Sequence, residues 1–326
     1  MSETERHREN GGKDMAIVVV GAVFVDVKGF PHDLYLPTGR NAGDVEIVHG
    51  GVGRNVAEDI ANVELRPTFL SVVDDTAQGE EVVRRLKKHK DNTQYIRAVP
   101  DGMGMWLAVF DNTGDLAGSI SKRPDLDVLT EVLDRQGDEI FRNADSIVIE
   151  VDIGKRIVKR VLDYGEKYHV PVYGVVANMG IATERRDLLQ RMDCFVCNQA
   201  EAGLLFVTDY ADATPEKLVE DLPQRLESAN IPSIVVTMGS RGAVYASRDG
   251  EKGFFPAEHV KVRDTTGAGD AFCAGVVIGL TYGKPMRDAV EIGTRLAASV
   301  IKVSENVCPR FRPQELGLDE EIADRD

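Results

Sequence analysis

Nine residues near the C-terminal end of the chain combine glycines and an acidic side chain in a pattern that suits phosphate chemistry. Gly267 and Gly269 leave backbone N–H groups uncovered, so a phosphate can approach closely. An apolar run follows and predicts a buried helix, whose N-terminus favours negative charge. Asp270, in the first turn, could accept the proton of an attacking hydroxyl. The segment reads Asp264-Thr265-Thr266-Gly267-Ala268-Gly269-Asp270-Ala271-Phe272.

A second glycine-rich segment lies far upstream and suits the binding of a hydroxylated ligand. Gly50, Gly51 and Gly53 let the backbone approach a sugar and can act as a hinge. Asn55 offers one amide as donor and acceptor for a hydroxyl. Each segment also has a purely structural interpretation. A Gly-Gly pair is typical of a tight turn, and Gly-x-Gly-Asp of a capped strand-to-helix turn.

Polar side chains follow two predicted buried strands. Asp26 comes after the run 16–21, at the strand end where open α/β sheets bind ligands, and could accept hydrogen bonds from vicinal hydroxyls. Asn198 and Glu201 follow the strand 194–197 and are three residues apart. They could hold Mg²⁺ through water and orient phosphates, although Asn-x-x-Glu is also an ordinary capping arrangement.

Together these segments resemble, in order, the signatures of the ribokinase-like (PfkB) family of carbohydrate and nucleoside kinases, over about residues 15–310. The resemblance implies that Asp270 is the base and that Gly267, Ala268 and Gly269 donate N–H groups to the transferred phosphoryl group. It implies substrate contacts at Asp26, Gly50, Gly51 and Asn55. ATP would lie near Asn198, Thr237, Gly239, Gly242, Thr265, Gly267 and Gly269. Mg²⁺ would lie near Asn198 and Glu201, and a monovalent cation such as K⁺ near Asp264.

Within that family, the segment Gly50–Ala57 and the segment 109–115 are most similar to those of pseudouridine kinases. The chain departs from the pseudouridine kinase pattern at Arg123-Pro124 and at Val175-Val176-Ala177-Asn178. A sugar kinase of the ribokinase or fructokinase type is therefore an alternative. A sensor that binds a nucleotide or sugar without catalysis is another. A dinucleotide-dependent dehydrogenase is excluded, because the first strand lacks the Gly-x-Gly-x-x-Gly turn.

The elements that must position these residues alternate between strands and helices. Apolar β-branched runs at 16–21, 146–149, 170–173, 194–197 and 233–237 predict buried parallel strands, and the patterns at 157–168 and 215–229 predict helices. We therefore expect a three-layer α/β fold with a mostly parallel sheet. Residues 30–49 and 103–120 interrupt the alternation and predict short strands. The resemblance implies that these form a small β-lid over the substrate, and a homodimer surface.

Composition sets further limits. The chain has 326 residues and a net charge of −15, which argues against a nucleic-acid partner. No run of 18 apolar residues predicts a membrane span. We expect a disordered extension at 1–14, a kinase domain at 15–315 and an acidic tail at 316–326. Cys194 and Cys197 have metal-like spacing but lie in a predicted strand, which favours structural thiols and a reducing cytoplasm.

Overall fold

The computed structural model describes residues 15–303 and 305–318. The extension expected at residues 1–14 lies outside the described residues, as do residues 319–326 of the expected acidic tail. The predicted boundary at residue 316 does not coincide with the end of the folded chain. The side chains of Leu316 and Leu318 are each only 4% exposed and pack in the apolar core.

The larger sheet of the described residues has nine strands, numbered with all other strands along the chain. They are β1 (Ile17–Val20), β4 (Thr68–Val73), β5 (Ile96–Ala98), β8 (Ser146–Glu150), β9 (Val172–Val175), β10 (Cys194–Asn198), β11 (Ser233–Thr237), β12 (Gly242–Ser247) and β13 (Lys252–Pro256). Their order is β13-β12-β11-β10-β9-β8-β1-β4-β5. Only β11–β12 and β12–β13 pair antiparallel. The parallel strands are rich in Val and Ile because both faces of the sheet are buried.

Helices cover both faces of this sheet. They are α1 (Val52–Asn62), α2 (Ala77–Lys88), α3 (Val128–Phe141), α4 (Lys155–Tyr168), α5 (Met179–Thr183), α6 (Arg186–Leu189), α7 (Gln199–Phe206), α8 (Pro215–Ala229), α9 (Ala268–Thr281) and α10 (Met286–Val300).

Alternate residues of β1 separate two apolar cores, because successive side chains of a strand point to opposite faces. Val18 and Val20 pack in one core with α3, α4, α7 and α8. Ile17 and Val19 pack in the other with α1, α2, α9 and α10. The expected three-layer α/β architecture is confirmed.

A separate four-stranded sheet interrupts the alternation. It consists of β2 (Phe24–Pro31), β3 (Gly43–Gly50), β6 (Gly104–Phe110) and β7 (Leu116–Lys122), in the order β3-β2-β6-β7. The expectation of extra strands at 30–49 and 103–120 placed the first strand too late, since β2 begins at Phe24, whereas β6 and β7 lie close to the expected 103–120. The residues after β1 therefore enter the small sheet directly instead of forming a loop.

The four cysteines, Cys194, Cys197, Cys273 and Cys308, are buried and free. Cys194 and Cys197 both belong to β10 and pack in opposite apolar cores. This agrees with structural thiols rather than a metal or redox pair. In the part of the chain that the structure describes, no helix is both long and apolar enough to cross a membrane.

Candidate active site

The glycine-rich segment forms the N-terminus of α9, as its sequence predicts. Gly267 precedes the helix with a φ of +80°, and a Cβ there would lie 1.9 Å from the carbonyl oxygen of Asn306. Glycine is therefore required by both conformation and space. At Gly269 a Cβ would meet no atom within 4 Å, so this turn faces open space. Ala268 differs from the expectation, because its N–H donates to the carbonyl oxygen of Thr265 at 3.2 Å.

Asp270 lies in the first turn of α9 and contacts the upstream glycine-rich segment. Its Oδ2 accepts a hydrogen bond of 2.7 Å from Nδ2 of Asn55. Burial raises the pKa of Asp270 to about 7, and the nearby Asp26 adds to the rise. The hydrogen bond from Asn55 and the charge of Arg54 act in the opposite direction. A carboxyl group that titrates near neutral pH suits a general base.

Asp26 lies in the small sheet, not in a loop after β1 as its sequence position suggested. It is the third residue of β2, faces Val48 and Trp106 on the flanking strands, and is 9% exposed. Burial raises its pKa, against the opposing charges of Lys28 and Arg54. A Cβ at Gly50 would lie 2.6 Å from Oδ2 of Asp26, so glycine makes room for this carboxylate.

Helix α1 begins beside these carboxylates, with Gly51 as its N-cap and Asn55 in its first turn. Gly51 caps the helix with a φ of +100°, and a Cβ there would lie 2.5 Å from the carbonyl oxygen of Ala22. The Asn55 amide is engaged at both ends, because its Oδ1 accepts a hydrogen bond of 2.8 Å from Arg54. It was expected to bind a substrate hydroxyl. In this structure it holds Asp270 instead.

A cavity of about 780 Å³ lies between the small sheet and the carboxyl ends of β1, β8 and β9. Ligands bind at this edge in open α/β sheets. The predicted residues in its wall are Asp26, Gly51, Asn55, Gly267 and Asp270. Its wall also contains Phe24, Trp106, Ser121, Arg123, Pro124, Asp125, Asp127, Glu150, Asp152, Ala177, Asn178 and Arg185.

Glu150 is a wall residue that the sequence analysis missed. It ends β8, is 2% exposed, and its Oε2 accepts hydrogen bonds from the N–H groups of Ala22 at 2.9 Å and Gly53 at 3.2 Å. Burial raises its pKa to about 8, and the charges of Asp152 and Asp270 act in the same direction. The signal was available, because a carboxylate directly after an apolar strand is what singled out Asp26.

The sequence analysis also missed Lys28, which lies beside the glycine-rich segment that precedes α9. This lysine of β2 is 5% exposed, and its Nζ is 3.4 Å from Oγ1 of Thr266 and 3.8 Å from Oδ2 of Asp264. Oδ1 of Asp264 accepts hydrogen bonds from the N–H and hydroxyl of Thr266 at 2.9 and 2.8 Å. The carboxylate predicted to help bind a monovalent cation therefore already has a cationic neighbour.

Asn198 and Glu201 lie outside the wall of this cavity, at the carboxyl end of β10. They form a reciprocal cap of α7. Oδ1 of Asn198 accepts from the N–H of Glu201 at 2.9 Å, and Oε2 of Glu201 accepts from the N–H of Asn198 at 2.7 Å. Burial raises the pKa of Glu201. The capping interpretation is therefore present in the structure, and it leaves the second carboxylate oxygen for another partner.

Thr237 is the register partner of Asn198 on the next strand, so the two residues lie side by side at the carboxyl edge of the sheet. Gly239 follows in a 3₁₀ turn with a φ of +58° and open space around it. Gly242 differs from the expectation of a ligand contact. It is buried, and a Cβ would lie 2.1 Å from the carbonyl oxygen of Phe255, so the pairing of β12 with β13 explains this glycine.

Comparisons with known proteins agree with this geometry. The model of the pfkB family carbohydrate kinases matches residues 15–307. A guanosine-inosine kinase of Exiguobacterium acetylicum is 36% identical over 292 residues, covering 89% of this chain and 95% of that protein. The pseudouridine kinase of Escherichia coli (strain K12) is 25% identical over 275 residues, covering 84% and 86%.

Among solved structures, Arabidopsis thaliana ribokinase complexed with ribose and ATP has the same fold, with a TM-score of 0.81 at 21% identity, covering 94% of this chain and 99% of that one. The family match spans nearly all the described residues and includes both glycine-rich segments. This chain therefore belongs to the pfkB family of carbohydrate kinases and is an ATP-dependent phosphotransferase.

Proposed function

We propose that this enzyme transfers the γ-phosphoryl group of ATP to a primary hydroxyl of a nucleoside, and that the nucleoside carries a purine base. The observation that carries the proposal is the hydrogen-bonded pair Asp270–Asn55 at the N-terminus of α9, in the wall of the large cavity. A base of suitable pKa next to uncovered N–H groups matches the needs of phosphoryl transfer.

Asp26 and the two glycine-rich segments have separate roles in this proposal. Asp26 accepts hydrogen bonds from the ribose hydroxyls, and Gly50 keeps this acceptor in place because its missing Cβ leaves room for the carboxylate. Asp270 accepts the proton of the attacking hydroxyl as the new O–P bond forms and the bond to the leaving ADP oxygen breaks. The N–H groups of Gly267 and Gly269 stabilise the transferred phosphoryl group. The small sheet excludes water, so ATP is not hydrolysed.

Two features of the cavity favour a nucleoside over a free sugar. Phe24 and Trp106 supply aromatic surface on which a base can stack. Arg123, Asp125 and Asn178 supply polar groups that can read the edge of a base. A bare pentose would leave much of this surface without a partner.

A purine is preferred because of where the chain departs from pseudouridine kinases. Arg123 and Pro124 belong to one departure, Ala177 and Asn178 to the other, and all four residues line the cavity. The relative of 36% identity is named a guanosine-inosine kinase. Pseudouridine remains the second candidate, favoured by the segment Gly50–Ala57 and by a relative of 25% identity.

We propose that ATP lies along the carboxyl ends of β10 and β11, near Asn198, Thr237, Gly239 and Thr265. Magnesium would neutralise the phosphates and align them for transfer. One amide and one partly free carboxylate, at Asn198 and Glu201, fit an ion held mainly by phosphates and water. No cluster of three or more acidic, histidine or cysteine side chains suited to a metal occurs within 15–303 and 305–318. A monovalent cation near Asp264 remains a prediction, to be tested by replacing K⁺.

We also propose a homodimer formed through the outer face of the small sheet. Ile47, Val27, Leu107 and Ile120 are register partners and form one apolar row across all four strands. Ile47 is 63% exposed and Ile120 is 70% exposed. Val45, a neighbour on the same face, is 69% exposed. Apolar surface of this kind is typical of a protein interface.

The first experiment is a coupled ADP-release assay with Mg²⁺-ATP and a panel of guanosine, inosine, adenosine, pseudouridine, uridine, ribose and fructose. Turnover with guanosine or inosine in preference to the others supports the proposal. Preference for pseudouridine keeps the mechanism and replaces the base. Turnover only with a free sugar contradicts the nucleoside assignment. No turnover with any compound of the panel would contradict the nucleoside assignment and place the acceptor outside the panel.

A further inference from the structure

Arg54 is an arginine inside the protein core. It belongs to the first glycine-rich segment, lies in the first turn of α1, and is 1% exposed. A buried charge requires a partner, and its Nη2 pairs with the carboxylate of Glu58 one turn later. Glu58 is itself 0% exposed. Buried ion pairs of this kind contribute little net stability over apolar residues, so their presence suggests another role.

The ion pair is held from a second side. Oε1 of Glu58 accepts a hydrogen bond of 2.9 Å from Nε of Arg85, a partly exposed residue of α2. Arg85 in turn pairs with Glu305 at 2.8 Å. The guanidinium of Arg54 therefore cannot rotate away without leaving a carboxylate buried and short of a partner. Of its other two nitrogens, Nε is buried without a hydrogen-bond partner among the described residues, and Nη1 is directed towards the active site.

Nη1 of Arg54 donates to Oδ1 of Asn55 at 2.8 Å and to the carbonyl oxygen of His49 at 3.2 Å. An arginine has only donors, so it accepts only one orientation of the Asn55 amide. With the oxygen facing Arg54, the NH₂ group faces Asp270 and donates to it at 2.7 Å. A flipped amide would place its oxygen against the Asp270 carboxylate, which is repulsive.

We propose that Arg54 is a positioning residue of the phosphoryl-transfer reaction: it fixes the Asn55 amide so that its NH₂ group holds Asp270 ionised and aimed at the acceptor hydroxyl. This inference rests on the role of Asp270 in the proposed function. The contact chain runs from Glu58 through Arg54 and Asn55 to Asp270 and joins the two glycine-rich segments.

The charge balance around Asp270 agrees with this role. Asp26 from β2 raises the pKa of Asp270, whereas Asn55 and Arg54 from α1 lower it. Asp59 of α1 and Glu150 of β8 also interact with Asp270 through their charges. Loss of Arg54 removes a favourable charge and frees the amide. Both effects make it harder to ionise the base.

The test compares kcat/KM from about pH 5 to about pH 9 for the wild type and three variants, with the panel's best nucleoside. Arg54→Met/Glu58→Gln removes the ion pair without leaving a buried charge. We expect kcat to fall about tenfold or more. The acid limb of the profile, where kcat/KM falls as the base becomes protonated, should move to higher pH by about half a unit or more. KM for ATP should stay near the wild-type value. Arg54→Lys should give values between those of the wild type and the double variant, because lysine keeps the positive charge but lacks the planar guanidinium that contacts Glu58 and Asn55 at once.

Arg85→Met is the control, since it removes the outer partner of Glu58 and leaves the contact between Arg54 and Asn55 intact. Its acid limb should match the wild type. Circular dichroism melting establishes that each variant is folded, and Arg54→Lys carries the test if the double variant is not. A folded variant of Arg54 whose acid limb does not move overturns the inference, even where kcat falls, because such a loss is merely structural.

Asp270→Asn separates this inference from the proposed function. If Asp270→Asn keeps wild-type turnover, the base assignment is wrong and the positioning role falls with it. If Asp270→Asn is inactive while the acid limb of the Arg54 variants stays in place, only the positioning role is wrong.

Discussion

Nδ2 of Asn55 donates a 2.7 Å hydrogen bond to Oδ2 of Asp270, although the two residues are 215 positions apart in the chain. This single contact joins the two glycine-rich segments, one at the start of α1 and one at the start of α9. Each segment is only a turn by itself. Together they place the Asp270 carboxylate, the Asn55 amide and the glycine turn at Gly267 in one wall of the cavity.

Asp270→Asn should reduce kcat about a hundredfold or more, because an amide cannot accept the proton of the acceptor hydroxyl. ATP binding should remain near the wild-type value. The coupled assay measures kcat, and equilibrium titration with ATP measures binding.

The same variant makes a pH-dependent prediction for stability. The pKa of Asp270 is raised to about 7 in the fold from 3.8. The folded state therefore favours the protonated form, and this contribution is lost as pH rises from about 4 through about 7. Asp270→Asn should raise the melting temperature more at pH 8 than at pH 5. Equal changes at the two pH values would show that Asp270 titrates normally.

The glycines before and within the first turn of α9 should respond differently to substitution. Gly267→Ala puts an alanine at a position with positive φ and places its Cβ 1.9 Å from the carbonyl oxygen of Asn306. This substitution should therefore lower the free energy of unfolding by about 2 kcal/mol or more. Gly269→Ala meets no protein atom within 4 Å. It should fold normally but weaken turnover, since its methyl group occupies the space proposed for the phosphoryl group. Urea unfolding and the coupled assay separate these outcomes, and a fully active Gly269→Ala would contradict the proposed anion site.

Glu201→Gln should raise the Mg²⁺ concentration needed for half-maximal rate by several-fold. The glutamine keeps an oxygen that can accept the hydrogen bond from the N–H of Asn198, but it loses the negative charge. Turnover at saturating Mg²⁺ should be largely retained. Glu220→Gln, at an exposed position of α8, is the matched control. Identical Mg²⁺ titrations for the two variants would remove Glu201 from the magnesium site.

Ile47→Glu should convert the proposed dimer to a monomer, because it buries a charge in the apolar row of the outer face. Glu46→Gln, on the other face of the same strand, should leave the dimer intact. Sedimentation velocity at micromolar concentration measures both. A wild-type protein that sediments as a monomer would refute the proposed interface.

The sequence predicted those site residues whose role depends on local conformation. The positive φ at Gly267 and the helix that starts after it follow from adjacent residues. The alternation Val25-Asp26-Val27-Lys28 also predicts a strand with one polar face, yet the apolar run before it suggested a loop at Asp26. The strand belongs to the small sheet because its partners, β3 and β6, lie elsewhere in the chain.

The burial of Arg54 and Lys28 could not be predicted in the same way. An arginine or lysine in a polar segment is ordinarily solvated, and its burial depends on tertiary neighbours. Arg54 is buried with the carboxylate of Glu58 and the amide oxygen of Asn55 as its partners. Lys28 is buried with Asp264 and Thr266 as its partners. The partners of Lys28 are distant in the chain, and those of Arg54 are near in sequence but are buried only because α1 packs in the apolar core, so no local pattern contains either burial.

Strand β2 has one further consequence. Its inner face carries Asp26 and Lys28, and its outer face carries Val27 in the apolar row. Adjacent side chains of one backbone move together, so a second subunit bound at the proposed dimer face would also restrain the carboxylate proposed to bind the sugar. The proposed dimer therefore predicts that self-association and substrate affinity are thermodynamically linked, so that the measured KM would change when the enzyme is diluted.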